Sequence, residues 1–122
     1  PGGNPRYPIA TDSAHGPHVD LVAPGADVAA PSPDSAASAD RLVRVSGTSF
    51  ACAHVAATAA LLLSNYPTLG KFPLKTANKV REIITASAAA PYRQDPMAYG
   101  AGLLRVDEAL GKAGETINEE GA

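Results

Sequence analysis

The sequence predicts an α/β fold, and three observations predict it. Residues 19–22, 28–30 and 41–45 are short β-prone runs, each stopped by proline or glycine. Residues 49–63 (SFACAHVAATAALLL) form a nearly all-apolar run with helical composition, which places a helix inside a protein. Two more helical stretches follow, over 74–87 and 103–113. A chain of 122 residues holds at most one domain, here spanning 1–113 with a polar tail over 114–122.

Each element has its own signal. Residues 1–18 are rich in proline and glycine and read as loop. Residues 19–22 run into Ala23-Pro24-Gly25, where proline cannot donate to a ladder and glycine takes up the turn. After the short strand at 28–30, PSPDSAASAD over 31–40 is a surface loop. RLVRV over 41–45 alternates as a strand and ends at Ser46-Gly47. The 49–63 helix falls short of the roughly 20 residues a bilayer span needs, so a buried core helix is favoured over a membrane span. In the next helix Ala77, Val80, Ile83 and Ile84 share a stripe while Lys75, Lys79, Arg81 and Glu82 lie off it, the pattern of a one-sided surface helix. The last begins with Asp107 and Glu108, acids where the helix dipole favours them.

Composition narrows the function. Net charge is −2, and no Lys or Arg lies between Arg6 and Arg41, so there is no basic stripe for a nucleic acid. Cys52 is the only cysteine, which excludes an intrachain disulfide and a cysteine-based zinc site and reads as a small buried hydrophobe. The opening PGGNPRYPIA shows no charged run followed by an apolar one. There are 25 alanines and no Trp, a thin supply of large side chains that fits a part of a larger fold.

The chemistry concentrates where a strand, Gly47-Thr48-Ser49 and the apolar helix follow one another. A serine in the first turn of a helix feels the positive end of the dipole, and the free N–H groups beside it can stabilise an oxyanion. Read without any relative, Ser49 or Thr48 as a plain helix cap is the favoured reading.

GTSFACAHVAATAALL resembles the segment around the nucleophilic serine of the subtilases, the subtilisin-like serine peptidases, whose pattern is Gly-Thr-Ser-x-Ala-x-Pro-His-Val-Ala-Gly. HGPHVDLVAPGADV resembles the family's Gly-Pro-x-Val-Asp-Leu-x-Ala-Pro-Gly, and NKVREIITASA with YGAGLLRVDEAL resembles its closing helix and Tyr-Gly-x-Gly-x-Leu-x-Val ending. The motifs stand in the family's order. The resemblance implies the C-terminal portion of a three-layer subtilisin-like α/β fold with a mainly parallel sheet. It implies Ser49 as nucleophile and hydrolysis of peptide bonds in a peptide or protein substrate. The triad's Asp and His lie in the half of the fold that precedes the matched segment, so they would come from that half or from another chain. The alternative is an inactive, subtilase-derived structural subunit of a larger complex.

The remaining residues follow from the same comparison. Gly3-Asn4 fits two readings: the remnant of the family's Ala-Gly-Asn turn, with Asn4 as oxyanion donor, or part of Asn4-Pro5-Arg6-Tyr7-Pro8, which matches a later Asn-Pro-x-Tyr-Pro and is favoured. Thr48 supports the oxyanion through its hydroxyl or makes a turn hydrogen bond. Asp20 corresponds to an acid that helps hold a weakly bound cation in some relatives, so structural calcium is the metal the family implies; otherwise it is a solvated or capping acid. No cofactor is needed for the chemistry. His15-Gly16-Pro17-His18-Val19 superficially resembles the catalytic His-Gly-Thr-His-Val, but Asp20-Leu21-Val22-Ala23-Pro24-Gly25 assigns it to the other motif. His54 lies about 140° around the helix from Ser49 and reads as a hydrogen-bonded structural histidine. Two departures stand out: Ala53 replaces the family's Pro and Ala57 its Gly. The chain is also shorter than the family's text on either side of Asp12. Compartment and peptide specificity are not readable.

Overall fold

The computed structural model describes residues 8–33, 41–71, 73–90 and 95–119. Two strands, β1 (Val28–Pro31) and β2 (Leu42–Val45), pair antiparallel, with Val28 opposite Val45 and Pro31 opposite Leu42. Alternation sorts their side chains: Val28, Ala30, Val43 and Val45 are half-buried on one face, while Ala29, Leu42 and Arg44 face solvent. Four helices follow, α1 (Thr48–Asn65), α2 (Pro73–Ala86), α3 (Pro96–Tyr99) and α4 (Val106–Glu119), with a 3₁₀ turn at Pro67–Lys71 between the first two.

Local chemistry sets these boundaries. α1 contains neither glycine nor proline and ends just before Pro67, where the Tyr66 N–H closes the last turn on the Leu62 carbonyl at 2.9 Å. Pro73 opens α2, as proline does at a first helical position. α3 starts on Pro96 after Asp95, whose carboxylate accepts from the Met97 N–H at 3.2 Å. At the start of α4, hydrogen bonds from the Arg105 guanidinium and from the backbone at Glu108 hold the exposed Asp107 carboxyl below its ordinary range.

The expected strand at 19–22 contributes a single bridge. Val22 pairs parallel with Leu103, which pairs antiparallel with Ala89 on its other side. Val22 spends its N–H on Gly102 and its carbonyl on Leu104, both at 2.8 Å. Leu21 and Ala23 therefore turn their backbone groups the opposite way, toward an edge with no backbone partner among the described residues. The extended ladder here is antiparallel, and among the described residues the one parallel pairing is the Val22–Leu103 bridge, so the mainly parallel sheet is not seen among them.

The core lies where α1, α2 and α4 meet, built from Leu62, Leu69, Val80, Ile83, Ile84, Leu104, Ala109 and Ala113. Ala109 and Ala113 are fully buried, and their small side chains let α4 approach closely. Two expectations change. Ala77 is exposed, because the buried arc of α2 runs through Val80, Ile83 and Ile84 with half-buried Thr76, whose hydroxyl donates to the Leu69 carbonyl at 2.7 Å. α4 continues past Ala113 to Glu119, because Ile117 still packs on the core.

The largest difference concerns α1. Its inward row is Phe50, His54, Thr58 and Leu62, spaced four apart, with Thr58 at 1% and Leu62 at 0% exposure. Its opposite side, Ser49, Cys52, Ala53, Ala56, Ala57, Ala60, Leu61 and Ser64, is exposed. The expectations of a fully buried helix and of a buried Cys52 are thus not met within this chain. The two mid-helix polar residues sit on the covered side, and the uncovered side is mostly alanine and leucine. By length and composition α1 could also cross a membrane.

Leu62→Ala should cost about 3 kcal/mol, the usual range for a large-to-small change at a closed site. Glu115→Ala, on the exposed side of α4, should stay within about 0.5 kcal/mol. Urea midpoints of the two variants measure the difference.

Candidate active site

Ser49 occupies the second position of α1, exposed, with Thr48 before it and also exposed. Gly47 leads into the helix at φ +154° and ψ 151°, a backbone state that a side chain would strain. No side chain caps the helix. The N–H groups of Thr48 and Ser49 have no partner among the described residues, and neither do the two hydroxyls. The N-terminus of a long helix thus carries two N–H donors and two hydroxyls that have no partner among the described residues.

The turn is positioned from outside. The Gly47 N–H donates to the Gly25 carbonyl at 2.7 Å, and the Phe50 N–H donates to the Gly47 carbonyl at 3.1 Å. Just beyond, the Asp27 N–H donates to Ser46 Oγ at 2.8 Å and Arg44 Nη1 donates to the Asp27 carbonyl at 2.9 Å. Asp27 takes a positive φ of 53°, which an aspartate tolerates in a turn. Two sequence motifs, Ala23-Pro24-Gly25 and Gly47-Thr48-Ser49, are thereby held against each other. The contact is close enough that a Cβ on Gly25 would lie 2.9 Å from the Gly47 carbonyl oxygen and 3.2 Å from Ala51 Cβ. Gly25 has no positive φ, so the glycine is needed there for approach rather than for the turn expected of it, a role sequence reading missed because the partners are distant along the chain.

The histidines do not gather at Ser49. His54 lies on the inward row, and its Nδ1–H donates to the Phe50 carbonyl at 2.9 Å, as expected of a hydrogen-bonded structural histidine. His15 and His18 are exposed at a turn held near α3, where the Gly16 N–H donates to the Met97 carbonyl at 2.8 Å. No hydrogen bond joins either of them to Ser49. Asn4 lies outside the described residues.

Asp20 is engaged elsewhere. Its Oδ1 accepts from Arg81 Nη2 at 2.5 Å, and its carbonyl accepts from the Ala101 N–H at 2.8 Å. Both side chains are substantially exposed, so the pair contributes at most about 1 kcal/mol. No group of three or more His, Cys, Asp or Glu positions among the described residues could hold a metal ion.

The sequence matches the family model described as the subtilase family over residues 4–111. It is 37% identical over 100 residues to a thermostable alkaline protease of Halalkalibacterium halodurans, covering 82% of this chain and 24% of that protein. It is 36% identical over 100 residues to subtilisin DY of Bacillus licheniformis, covering 82% of this chain and 32% of that one. A subtilisin-like protease of Arabidopsis thaliana is 32% identical over 126 residues, covering 83% of this chain and 16% of the relative. The chain spans a third or less of the length of these relatives.

Gly25→Ala should destabilise the protein by about 1–3 kcal/mol, because the added methyl has backbone on one side and a packed helix on the other. Gly70→Ala, where a Cβ meets only Leu63 at 3.9 Å, is the control. A thermal melt in which both glycine variants behave alike would contradict the close contact.

Proposed function

Because the chain belongs to the subtilase family, we propose that it is the serine-bearing part of a subtilisin-like endopeptidase, with Ser49 as the nucleophile. The observation that carries this reading is the free Ser49 hydroxyl beside two unpartnered N–H groups at the start of α1. In the proposed reaction Ser49 Oγ attacks the carbonyl carbon of a peptide bond and passes its proton to a histidine base. The carbonyl oxygen takes up the negative charge and is met by the Ser49 N–H, with the Thr48 hydroxyl in support and Asn4 as a further candidate donor. Collapse expels the amine, which takes the proton from the base, and water then releases the acyl group.

The base and the aspartate that orients it come from the half of the domain that precedes the matched segment, or from another chain. Two features support that partner. Ser49 lies on the outward side of α1, so whatever covers Ala53, Ala56, Ala57 and Ala60 reaches the nucleophile from the same direction. Leu21 and Ala23 also have no backbone partner among the described residues on the side away from Val22's bonds, an edge on which a further strand can pair. The apolar composition of α1 then belongs to an interior between two halves of a fold rather than to a bilayer.

The rival reading is a structural subunit without activity. Ala53 and Ala57, the two departures from the family's pattern, both lie on the outward side of α1, where they alter the surface a partner must fit.

A fluorophosphonate probe distinguishes the readings in the assembly that contains both halves. Labelling that maps to Ser49 and disappears in Ser49→Ala supports the peptidase. No labelling in that assembly supports the structural subunit.

A further inference from the structure

We infer that His54 is a positioning residue for Ser49, an inference that rests on the peptidase reading above. The first turn of α1 has a glycine cap with no side chain, two leading N–H groups without a partner among the described residues and, among those residues, one external backbone anchor, the bond from the Gly47 N–H to the Gly25 carbonyl. The ordinary backbone bonds of the helix hold its carbonyls, and one side-chain bond adds to them, from His54 Nδ1–H to the Phe50 carbonyl at 2.9 Å. A carbonyl oxygen accepts only, so Nδ1 carries the proton in this bond whether the ring is neutral or charged.

That bond acts on the residue directly after the nucleophile. Added to the helical backbone bond on the same carbonyl, it further restrains the peptide that follows Phe50 and, through Phe50's own backbone, the orientation of the Ser49 peptide and its N–H. The His54 backbone is held in turn, because Thr58 Oγ1 donates to the His54 carbonyl at 2.8 Å and Thr58 is 1% exposed. A row of side-chain bonds therefore runs from the closed core at Thr58 through His54 to the first turn. It runs along the covered side of α1, while Ser49 faces the uncovered side, so it can stiffen the turn without obstructing substrate. Small displacements of a reacting group are costly: about 1 Å can lower a rate by about a hundredfold.

The test uses the complete assembly with a peptide 4-nitroanilide substrate, active sites being counted by burst titration. His54→Leu removes the donor. His54→Asn places an amide N–H near the position of Nδ1. For His54→Leu the expected result is a kcat per titrated site lower by roughly tenfold or more, with KM within about twofold. His54→Asn should recover most of the loss. Loss of titratable sites with unchanged kcat per site, or His54→Asn no better than His54→Leu, would overturn the inference. A long-range proton–nitrogen spectrum of the parent provides a second reading that needs no variant: Nδ1 of His54 must be protonated, and a ring protonated only on Nε2 overturns it. If the parent assembly neither hydrolyses the substrate nor labels at Ser49, the peptidase reading fails and this inference with it. An active parent with an unaffected His54→Leu rejects the inference alone.

Discussion

A helix with no Asp, Glu, Lys or Arg over 18 residues has to be covered on every side, and α1 is covered on one. The rest of the structure can be understood from that constraint. On its inner row the helix buries Thr58 and Leu62 against a core shared with α2 and α4. The two polar groups placed there are satisfied locally, His54 on the Phe50 carbonyl and Thr58 on the His54 carbonyl, so their burial leaves no donor unpaired. On its outer row it presents alanines and Leu61 to solvent, a surface that water stabilises poorly and a second layer would cover well. The alanine-rich composition has the same origin, because small side chains allow elements to approach closely from both sides.

The second organising contact is the hydrogen bond between Gly47 and Gly25. It joins the loop that follows the Val22 bridge to the start of α1, and so ties the small sheet contacts around Leu103 to the turn that carries Ser49. Glycine is required at both ends for different reasons, conformation at Gly47 and space at Gly25. With Arg44, Ser46 and Asp27 bonded alongside, the β1–β2 hairpin becomes a brace for the same turn. The serine is thus held by its surroundings, while its own hydroxyl and the adjacent N–H groups have no partner among the described residues.

What could be read in the sequence was what is local. The runs of β1, β2, α1 and α2 show in alternation, helix periodicity and proline placement, and Ser49 stands out because a small-residue turn precedes an apolar helix. Long-range pairings were not legible. Gly25 gives no sign in the sequence that it accepts from Gly47, nor Asp20 that it meets Arg81. The extent of α4 was underestimated because GETINEE is polar in composition, although Ile117 reaches the core. The exposed side of α1 was missed for the opposite reason: hydropathy reports that a surface is to be covered, without saying which chain segment covers it. His15 and His18 resemble a catalytic pair in spelling, yet the fold places them at a turn near α3.

The central claim is that the outward side of α1, with Ser49 at its start, is an interior surface completed by an upstream half. Cys52 lies on that side and is exposed in this chain, so its thiol reports on the cover directly. The decisive measurement is the rate of Cys52 modification by a soluble disulfide reagent in the native assembly that carries both halves, compared with the same protein unfolded in urea. If α1 is covered, the native rate is lower by about a hundredfold or more, corresponding to a protecting free energy of about 3 kcal/mol. A Cys52 that reacts as fast in the native assembly as in the unfolded protein would contradict the account.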